Sequence, residues 1–334
     1  MFRALLLVFC FACNTGASAA TLEVVGPLQT DPGQGCSLQF SGAIGPGTAK
    51  DAETVLRELI KPIFNYPSHL REEQVVLCLS STGGDFLEGL RLARLFQKLD
   101  LTTRVNPGDT CLSACAVAFM GGRLNSRSGE GYYSSRYLHP TSKLGFHAPS
   151  LDLQGEVFDR DSVAQAYSVA LLSISFLAES ANQLKLSPRL LREMLRNSGR
   201  DFFFVETLDD LADHDIQLYG YQAPPNTKSA RFSACANAFR WHFTPDEDRE
   251  TLANFDVSHF SERGGTVSFV PFDGEMYCQL QTIELGAGWM DLVVQSELPS
   301  LTDPSLKLSY PSWVRLPGPT HFLDLVLGQE RDAF

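Results

Sequence analysis

Ser113 is the residue whose surroundings best fit nucleophilic chemistry. It lies in the run Cys111-Leu112-Ser113-Ala114-Cys115, and the small and apolar residues from 111 to 120 predict a buried helix that follows a turn. The first amides of a helix lack partners and the helix dipole is positive there, which favours an anion forming beside the hydroxyl. Serine hydrolysis needs such amides together with an imidazole and an orienting carboxylate. A serine at a helix start is also a common N-cap, so both interpretations of Ser113 stay open.

Alternating strands and helices precede this serine. The apolar run 74–80 has the length of a strand buried on both faces of a parallel sheet, and it ends at Ser81-Thr82-Gly83-Gly84. Apolar residues then recur at helical spacing from 85 to 99, and a second strand follows at 101–105. This order predicts a strand-helix-strand unit and therefore an α/β fold.

The rest of the chain extends this α/β body and then changes character. Further elements are expected on both sides of the unit: a strand at 37–40, a helix at 49–64, a polar loop-like stretch at 123–142, a strand at 143–147, and helices at 159–186 and 188–197. The run Ala223-Pro224-Pro225-Asn226 is the predicted linker, because short β-like runs separated by Gly, Pro and Asp follow it. We therefore divide the chain into a signal peptide (1–20), an α/β domain (21–225) and a small β-rich domain of unknown role (226–334).

The N-terminus has the parts of a secretory signal peptide. Arg3 precedes an apolar run at residues 4–12, small residues fill positions 16–20, and cleavage is expected after Ala19 or Ala20. The alternative is an uncleaved membrane anchor, which would require a longer apolar run to span the bilayer. The prediction is a periplasmic or secreted protein, in a compartment that permits disulfide bonds.

Six of the eight cysteines remain after that cleavage, since Cys10 and Cys13 leave with the signal. Cys235 and Cys278 are a plausible pair, whose bond would stabilise the C-terminal region by about 4 kcal/mol in the chain-entropy account. Spacing assigns no partner to the other four: Cys36, Cys78, Cys111 and Cys115. The two cysteines that flank Ser113 could be bonded and rigidify the helix start, or be small buried residues.

Composition excludes several classes of function. Lys plus Arg number 27 against 39 Asp plus Glu, a net charge of −12 without any basic run, so nucleic acid is not the expected partner. Beyond the first 13 residues no stretch approaches the roughly 20 apolar residues of a membrane span. The chain contains no CxxC pair and no histidines at metal-ligand spacing, so neither a metal nor another cofactor is expected.

Taken together, these segments resemble the Clp-type serine peptidase (ClpP/crotonase-like) superfamily. The resemblance is carried, in chain order, by a buried strand ending in Ser81-Thr82-Gly83-Gly84-Asp85, a helix with Glu88-Gly89, a second strand, Ser113 among small residues, and Gly145-Phe146-His147-Ala148-Pro149. It covers about residues 36–222, and is strongest to the secreted bacterial branch, whose members carry a comparable Cys-x-Ser-x-Cys. It implies a ClpP/crotonase-like stacked βαβ core.

The resemblance also implies a role for individual residues. The nucleophile falls on Ser113, the general base on His147 and the orienting acid on Asp201, with Asp209 or Asp210 as replacements for Asp201. The amides of Gly84 and Ala114 would form the oxyanion hole, and Gly84→Val would then abolish activity while leaving the fold intact.

Two features depart from the family pattern. Thr82 stands where the family usually has Pro. Ser113 and His147 are farther apart in sequence than usual because of a polar insertion around residues 125–135, which we expect to form a flap or loop.

The function implied is that of an exported serine endopeptidase working through an acyl-enzyme, without ATP. Its substrates would be unfolded protein segments, short peptides or membrane-proximal tails. The family habit of forming rings or trimers implies a homo-oligomer, although the C-terminal domain could block that assembly or recruit substrates. Three alternatives remain: a catalytically inactive binding or scaffolding protein, a crotonase-type enzyme acting on acyl-CoA thioesters, and a Ser/Lys dyad using Lys143 or Lys185.

Overall fold

The computed structural model describes much of the chain between residues 19 and 325. The described residues are 19–60, 74–125, 131–149, 159–199, 201–224, 227–243, 256–261, 264–269, 274–285, 289–296, 306–318 and 320–325. For the strands between 256 and 310 only the backbone is described. The predicted signal peptide lies outside these residues except for Ala19 and Ala20.

The first part of the chain is a mixed α/β structure. In chain order its elements are β1 (Thr21–Val24), β2 (Leu38–Ser41), α1 (Thr48–Ile60), β3 (Val76–Ser80), α2 (Phe86–Lys98), β4 (Thr102–Val105), β5 (Thr110–Leu112), α3 (Ala114–Phe119), β6 (Arg123–Asn125), β7 (Tyr132–Ser134), β8 (Arg136–Leu138), β9 (Lys143–Phe146), α4 (Arg160–Ala181), α5 (Pro188–Arg196), β10 (Phe203–Phe204), α6 (Leu208–Asp213) and β11 (Gln217–Leu218).

Two sheets organise these elements. The larger has the strand order β1-β2-β3-β4-β8-β11, in which β1 is antiparallel to β2 and the other neighbours are parallel. The smaller has the order β10-β9-β5, with β5 parallel and β10 antiparallel to β9. An isolated bridge between Ser81 and Cys111 joins the end of β3 to β5. The two sheets are therefore connected at the residues predicted to do chemistry.

Packing follows the apolar pattern of the sequence. Four of the five residues of β3 are buried, as expected for a strand covered on both faces. Helix α2 begins at the N-cap Asp85, whose carboxylate accepts from the Glu88 amide, and it buries its apolar face next to α3. Gly89 lets the two helices approach, since a Cβ there would lie 2.5 Å from the Ala114 carbonyl oxygen. The position of α3 is thereby fixed by α2.

Several predicted elements are confirmed, and two predictions are wrong. The strand-helix-strand unit is present as β3, α2 and β4, and the predicted strand at 143–147 is β9. The stretch 111–120 is not all helix: residues 110–112 form β5, and α3 begins at Ala114. A short apolar run can form either a helix or a strand, and residues 110–112 form a strand because they pair with β9.

The second wrong prediction concerns residues 123–142. This polar stretch contains β8, which lies inside the larger sheet, and also the hairpin of β6 and β7. Arg136 in β8 is almost completely buried, and its guanidinium donates to the carbonyls of His214 and Leu184. Burial lowers the pKa of Arg136 to about 10. A charged residue that finds such acceptors can occupy an inner strand, which a polarity pattern does not reveal.

The C-terminal part combines the predicted strands with an unpredicted helix. After the linker region comes α7 (Lys228–Phe243), and the backbone then forms an antiparallel sheet in sequential order. Its strands are β12 (Asp256–Ser261), β13 (Gly264–Phe269), β14 (Gly274–Leu285), β15 (Trp289–Ser296) and β16 (Leu306–Pro311), followed by a short 3-10 helix (Ser312–Arg315).

The end of the described chain returns to the first part. Trp313 and Phe322 are each 2% exposed and belong to the main hydrophobic core. The Leu208 amide donates to the Thr320 carbonyl, and the Phe322 amide donates to the Glu206 carbonyl. The terminal segment is therefore packed against the start of α6, and the predicted division at residue 225 stays a prediction.

Helix α4 has an unexpected membrane-like composition. By length and composition alone it is apolar enough to cross a bilayer, contrary to the expectation that such character is confined to the N-terminus. Its exposed residues include Tyr167, Leu171 and Leu172, while Leu177 and Ala181 pack into the core. The sequence interpretation missed this because serines interrupt the apolar run.

Candidate active site

Ser113 occupies a sharp turn between β5 and α3. Its backbone has φ 56° and ψ −124°, on the left-handed side of conformational space that a residue with a Cβ seldom adopts. Ser113 stands at the N-cap position of α3, but its side chain makes no capping hydrogen bond to the helix. Instead, its hydroxyl oxygen lies 2.7 Å from Nε2 of His147.

Strand pairing explains how residues 34 positions apart meet. Leu112 of β5 is paired with Gly145 of the parallel strand β9, and the Ser113 amide donates to the Gly145 carbonyl at 2.9 Å. Ser113 follows the last residue of β5, and His147 follows the last residue of β9. Both side chains thus lie beyond the carboxyl ends of neighbouring parallel strands, where open α/β sheets commonly place reactive groups.

His147 is in the protonation state that a general base requires. Its ring is half-buried, and burial lowers its pKa below the ordinary value of 6.5 because the charged form loses hydration. At neutral pH the ring is therefore uncharged and Nε2 can accept the Ser113 proton.

Asp201, the predicted orienting acid, is not bonded to this ring. Nδ1 of His147 has no hydrogen-bond partner among the described residues, and Asp201 is exposed. Phe202 lies against the ring instead, with 4.6 Å between ring centroids. Phe203 pairs with Phe146 across β10 and β9, so continuing this register places Phe202 beside His147. The role of Asp201 stays a prediction.

The two replacement carboxylates are engaged elsewhere. Asp209 accepts a hydrogen bond from the Trp241 indole, 2.7 Å away. Asp210 forms a capping box with Thr207 at the start of α6 and an ion pair with Arg189. These contacts stabilise α6 and its packing.

The amides of Gly84 and Ala114 are the predicted oxyanion donors. The Ala114 amide begins α3 and has no intrahelical acceptor. Neither amide donates in any hydrogen bond described for this part of the chain. Gly83 holds the loop against the serine, since a Cβ on it would lie 2.6 Å from both the Leu112 carbonyl oxygen and the Ser113 Cβ. Gly84 is exposed, whereas Gly83 and Ala114 are buried.

The expectation that Gly84→Val spares the fold is wrong. Gly84 has φ 140°, and a Cβ there would lie 2.0 Å from the carbonyl oxygen of Ile44. Hydrogen bonds join the two segments here, because the Ile44 amide donates to the Gly83 carbonyl and the Asp85 amide donates to the Ile44 carbonyl. A valine at position 84 would push these two segments apart and break the hydrogen bonds, so it would disturb the fold as well as the loop.

A cavity of about 150 Å³ opens beside this loop. Most of its lining side chains are apolar, and it extends from the loop at Gly84 to the middle of α4. The lining residues are Gly84, Asp85, Phe86, Leu87, Pro149, Val169, Ala170 and Ser173. Sequence reasoning missed this site because α4 lies far from Ser113 along the chain.

The structure contains two disulfide bonds whose partners spacing left unassigned. Cys36 is bonded to Cys78, and Cys111 is bonded to Cys115 across the serine. Such bonds are typical of proteins of an oxidising environment. Cys235 is also disulfide-bonded. The side chain of Cys278 lies outside the described residues, so the predicted pair stays a prediction.

Other chemistries find less support at this site. Lys143 is paired with Thr110 at the start of the β5–β9 pair, three residues before Ser113, which places it at the opposite end of the strands. Within the described ranges, no group of three His, Cys, Asp or Glu side chains could hold a metal ion.

No protein-family model matches this chain, and no curated protein matches its sequence.

Proposed function

We propose that this protein is an exported serine peptidase with a ClpP/crotonase-like core. The observation that carries the proposal is the 2.7 Å contact between the Ser113 hydroxyl and Nε2 of His147, made at a strained turn. Backbone strain of this kind costs about 1–3 kcal/mol and persists where the surrounding structure imposes it, commonly at functional sites. Ser113 lies directly before α3, and the proposed oxyanion donors are the amides of Gly84 and Ala114.

The proposed reaction is acyl transfer. His147 takes the Ser113 proton as the oxygen attacks the substrate carbonyl, and the Gly84 and Ala114 amides donate to the oxyanion that forms. His147 then gives the proton to the leaving amine, which leaves an ester on Ser113. A water deprotonated by His147 hydrolyses that ester. Asp201 is the candidate acid for Nδ1, and it reaches the ring only if its segment moves.

The proposed substrates are unfolded segments, short peptides or membrane-proximal tails of proteins. The cavity beside Gly84 is lined by Phe86, Leu87 and Val169 among others, which suits an apolar side chain next to the cleaved bond. An exported enzyme has no ATP to drive unfolding, so substrates must arrive already extended.

A fluorophosphonate probe tests the proposal, because it reacts with activated serine hydroxyls. The signal-free protein should be labelled, Ser113→Ala should not, and Ser142→Ala is the matched control that should keep the label. Ser142 is bonded to the His139 carbonyl in a turn before β9. Equal labelling of wild type and Ser113→Ala would refute Ser113 as the nucleophile.

A second candidate is a catalytically inactive binding protein that retains the same core. The observation that favours it is the absence of an acceptor for Nδ1 of His147 among the described residues. It predicts that the folded wild-type protein takes up no probe, whereas the peptidase proposal predicts labelling.

A further inference from the structure

The Cys111–Cys115 disulfide encloses the candidate nucleophile. Cys111 lies in β5 and Cys115 in the first turn of α3, and Ser113 is the central residue of the five. Both cysteines are fully buried. The bond therefore fixes the end of the strand to the beginning of the helix across the one residue that turns between them.

Ser113 needs such a constraint because its own backbone resists the turn. Among the described non-glycine residues with positive φ, the other three are Asp100, Lys185 and Asp215. Two of these are aspartates, which tolerate that region better than serine. Ser113 also has no side-chain bond to the helix that would hold it there.

Hydrogen bonds hold both the flanks and the centre of the turn. The Leu112 amide donates to Ser81, the Ser113 amide to Gly145, and the Val117 amide to the Ser113 carbonyl. The disulfide adds a covalent link between the flanks. It limits the backbone angles of Leu112, Ser113 and Ala114, and Ala114 carries one of the proposed oxyanion amides.

We infer that the Cys111–Cys115 disulfide is a positioning device for the nucleophile, holding the Ser113 hydroxyl and the Ala114 amide in their reactive geometry. The inference rests on the proposed function. Cys111 and Cys115 act through Ser113 and do not touch substrate. The bond spans four positions of sequence whereas Cys36–Cys78 spans 42, so it removes less freedom from the unfolded chain and its main effect is local.

The Cys36–Cys78 disulfide supplies a matched control. It ties the chain before β2 to the middle of β3 and does not include the turn between β5 and α3. The experiment compares Cys111→Ala/Cys115→Ala with Cys36→Ala/Cys78→Ala. It measures the melting temperature of each variant and, well below that temperature, the rate constant for fluorophosphonate labelling and the kcat and KM for an unfolded protein substrate.

We expect the Cys111→Ala/Cys115→Ala protein to label at least tenfold more slowly than wild type, through kcat with KM little changed. The control should melt at a lower temperature than this variant yet label within threefold of wild type. If the alanine pair does not fold, Cys111→Ser/Cys115→Ser keeps the side-chain size without the bond.

Three outcomes would overturn the inference. The first is a Cys111–Cys115 variant that labels within threefold of wild type. The second is labelling that falls in both variants in proportion to their melting temperatures, which would assign the bond to general stability. The third is a folded wild-type protein that takes up no probe, which would refute the proposed function itself and so differs from the first two.

Discussion

Burial changes the acid-base properties of His147. Its ring lies between the Ser113 hydroxyl on one side and Phe202 on another. Burial of the imidazole, to which this aromatic contact contributes, disfavours its charged form and so lowers its pKa.

The pH dependence of labelling follows from that burial. The neutral ring is the active form in the proposed mechanism, and its pKa lies below 6.5, so the labelling rate should fall as the pH is lowered and reach half of its maximum below pH 6.5 as the ring gains a proton. The measurement is the rate constant of fluorophosphonate labelling between pH 4.5 and 8. A half-maximal rate above pH 6.5 would contradict a buried, uncharged base.

Asp201→Asn tests whether Asp201 acts as the orienting acid of His147 or plays no part in the reaction. The carboxylate is exposed and is not bonded to Nδ1, so we expect the labelling rate to fall by less than about tenfold. Removing the acid of a working triad costs about 10⁴-fold in kcat. A loss of that size, measured on a variant with an unchanged melting temperature, would show that Asp201 reaches the ring during the reaction.

At the scale of elements, two parallel strands and one helix contact create the site. The pairing of β5 with β9 brings Ser113 to His147, and the close contact of α2 with α3 fixes Ala114, whose amide is a proposed oxyanion donor. The disulfides contribute unequally to stability. In the chain-entropy account Cys36–Cys78 contributes about 4 kcal/mol and Cys111–Cys115 about 2 kcal/mol.

Gly89→Ala tests the helix contact. Alanine favours a helix over glycine by about 1 kcal/mol, but its Cβ would lie 2.5 Å from the Ala114 carbonyl oxygen and 2.9 Å from the Ala114 Cα. Overpacking of this kind costs about 1–3 kcal/mol, so we expect a net loss of stability together with slower labelling. Urea unfolding and the labelling rate are the measurements.

Gly45→Ala is the control for that substitution, because no atom lies within 4 Å of its added Cβ. It should change neither stability nor labelling. A Gly89→Ala protein as stable and as reactive as wild type would mean that α2 and α3 can separate without consequence for the site.

At the scale of the whole molecule, the chain folds back on itself. Trp313, from the 3-10 helix after the last strand, and Phe322 join the main core, and Asn237 of α7 donates to the Val314 and Leu316 carbonyls. Asp209 of α6 accepts from Trp241 of α7. The C-terminal residues therefore stabilise the segment that leads from Asp201 through β10 to α6.

Trp313→Ala should show how strongly the two parts depend on each other. Removing a large side chain that is 2% exposed costs about 3–5 kcal/mol when the site cannot collapse. We expect one unfolding transition shifted to lower denaturant concentration, measured with urea. Leu195→Ala on α5, 42% exposed, is the control and should have little effect. A Trp313→Ala protein as stable as wild type would mean that the terminal segment is an appendage.

The sequence by itself determined the α/β class, the strand-helix-strand unit before Ser113 and Ser113 as a candidate residue, while His147 became a candidate only through the family resemblance. Buried strands, amphipathic helices and glycine turns depend on residues that are close together in the sequence, so the sequence alone can predict them. The interior position of β8 was not readable, because Arg136 is polar and its carbonyl partners come from distant segments.

Only the tertiary structure decided which side chains meet. Strand register determines the contact of Phe202 with His147 and the exposure of Asp201, and the turn at Ser113 determines the pairing of Cys111 with Cys115. A shift of one residue in the β10–β9 register would exchange the side chain that faces the imidazole. The residue types indicate which reaction is possible, whereas the register of the paired strands decides which atoms lie close enough to react.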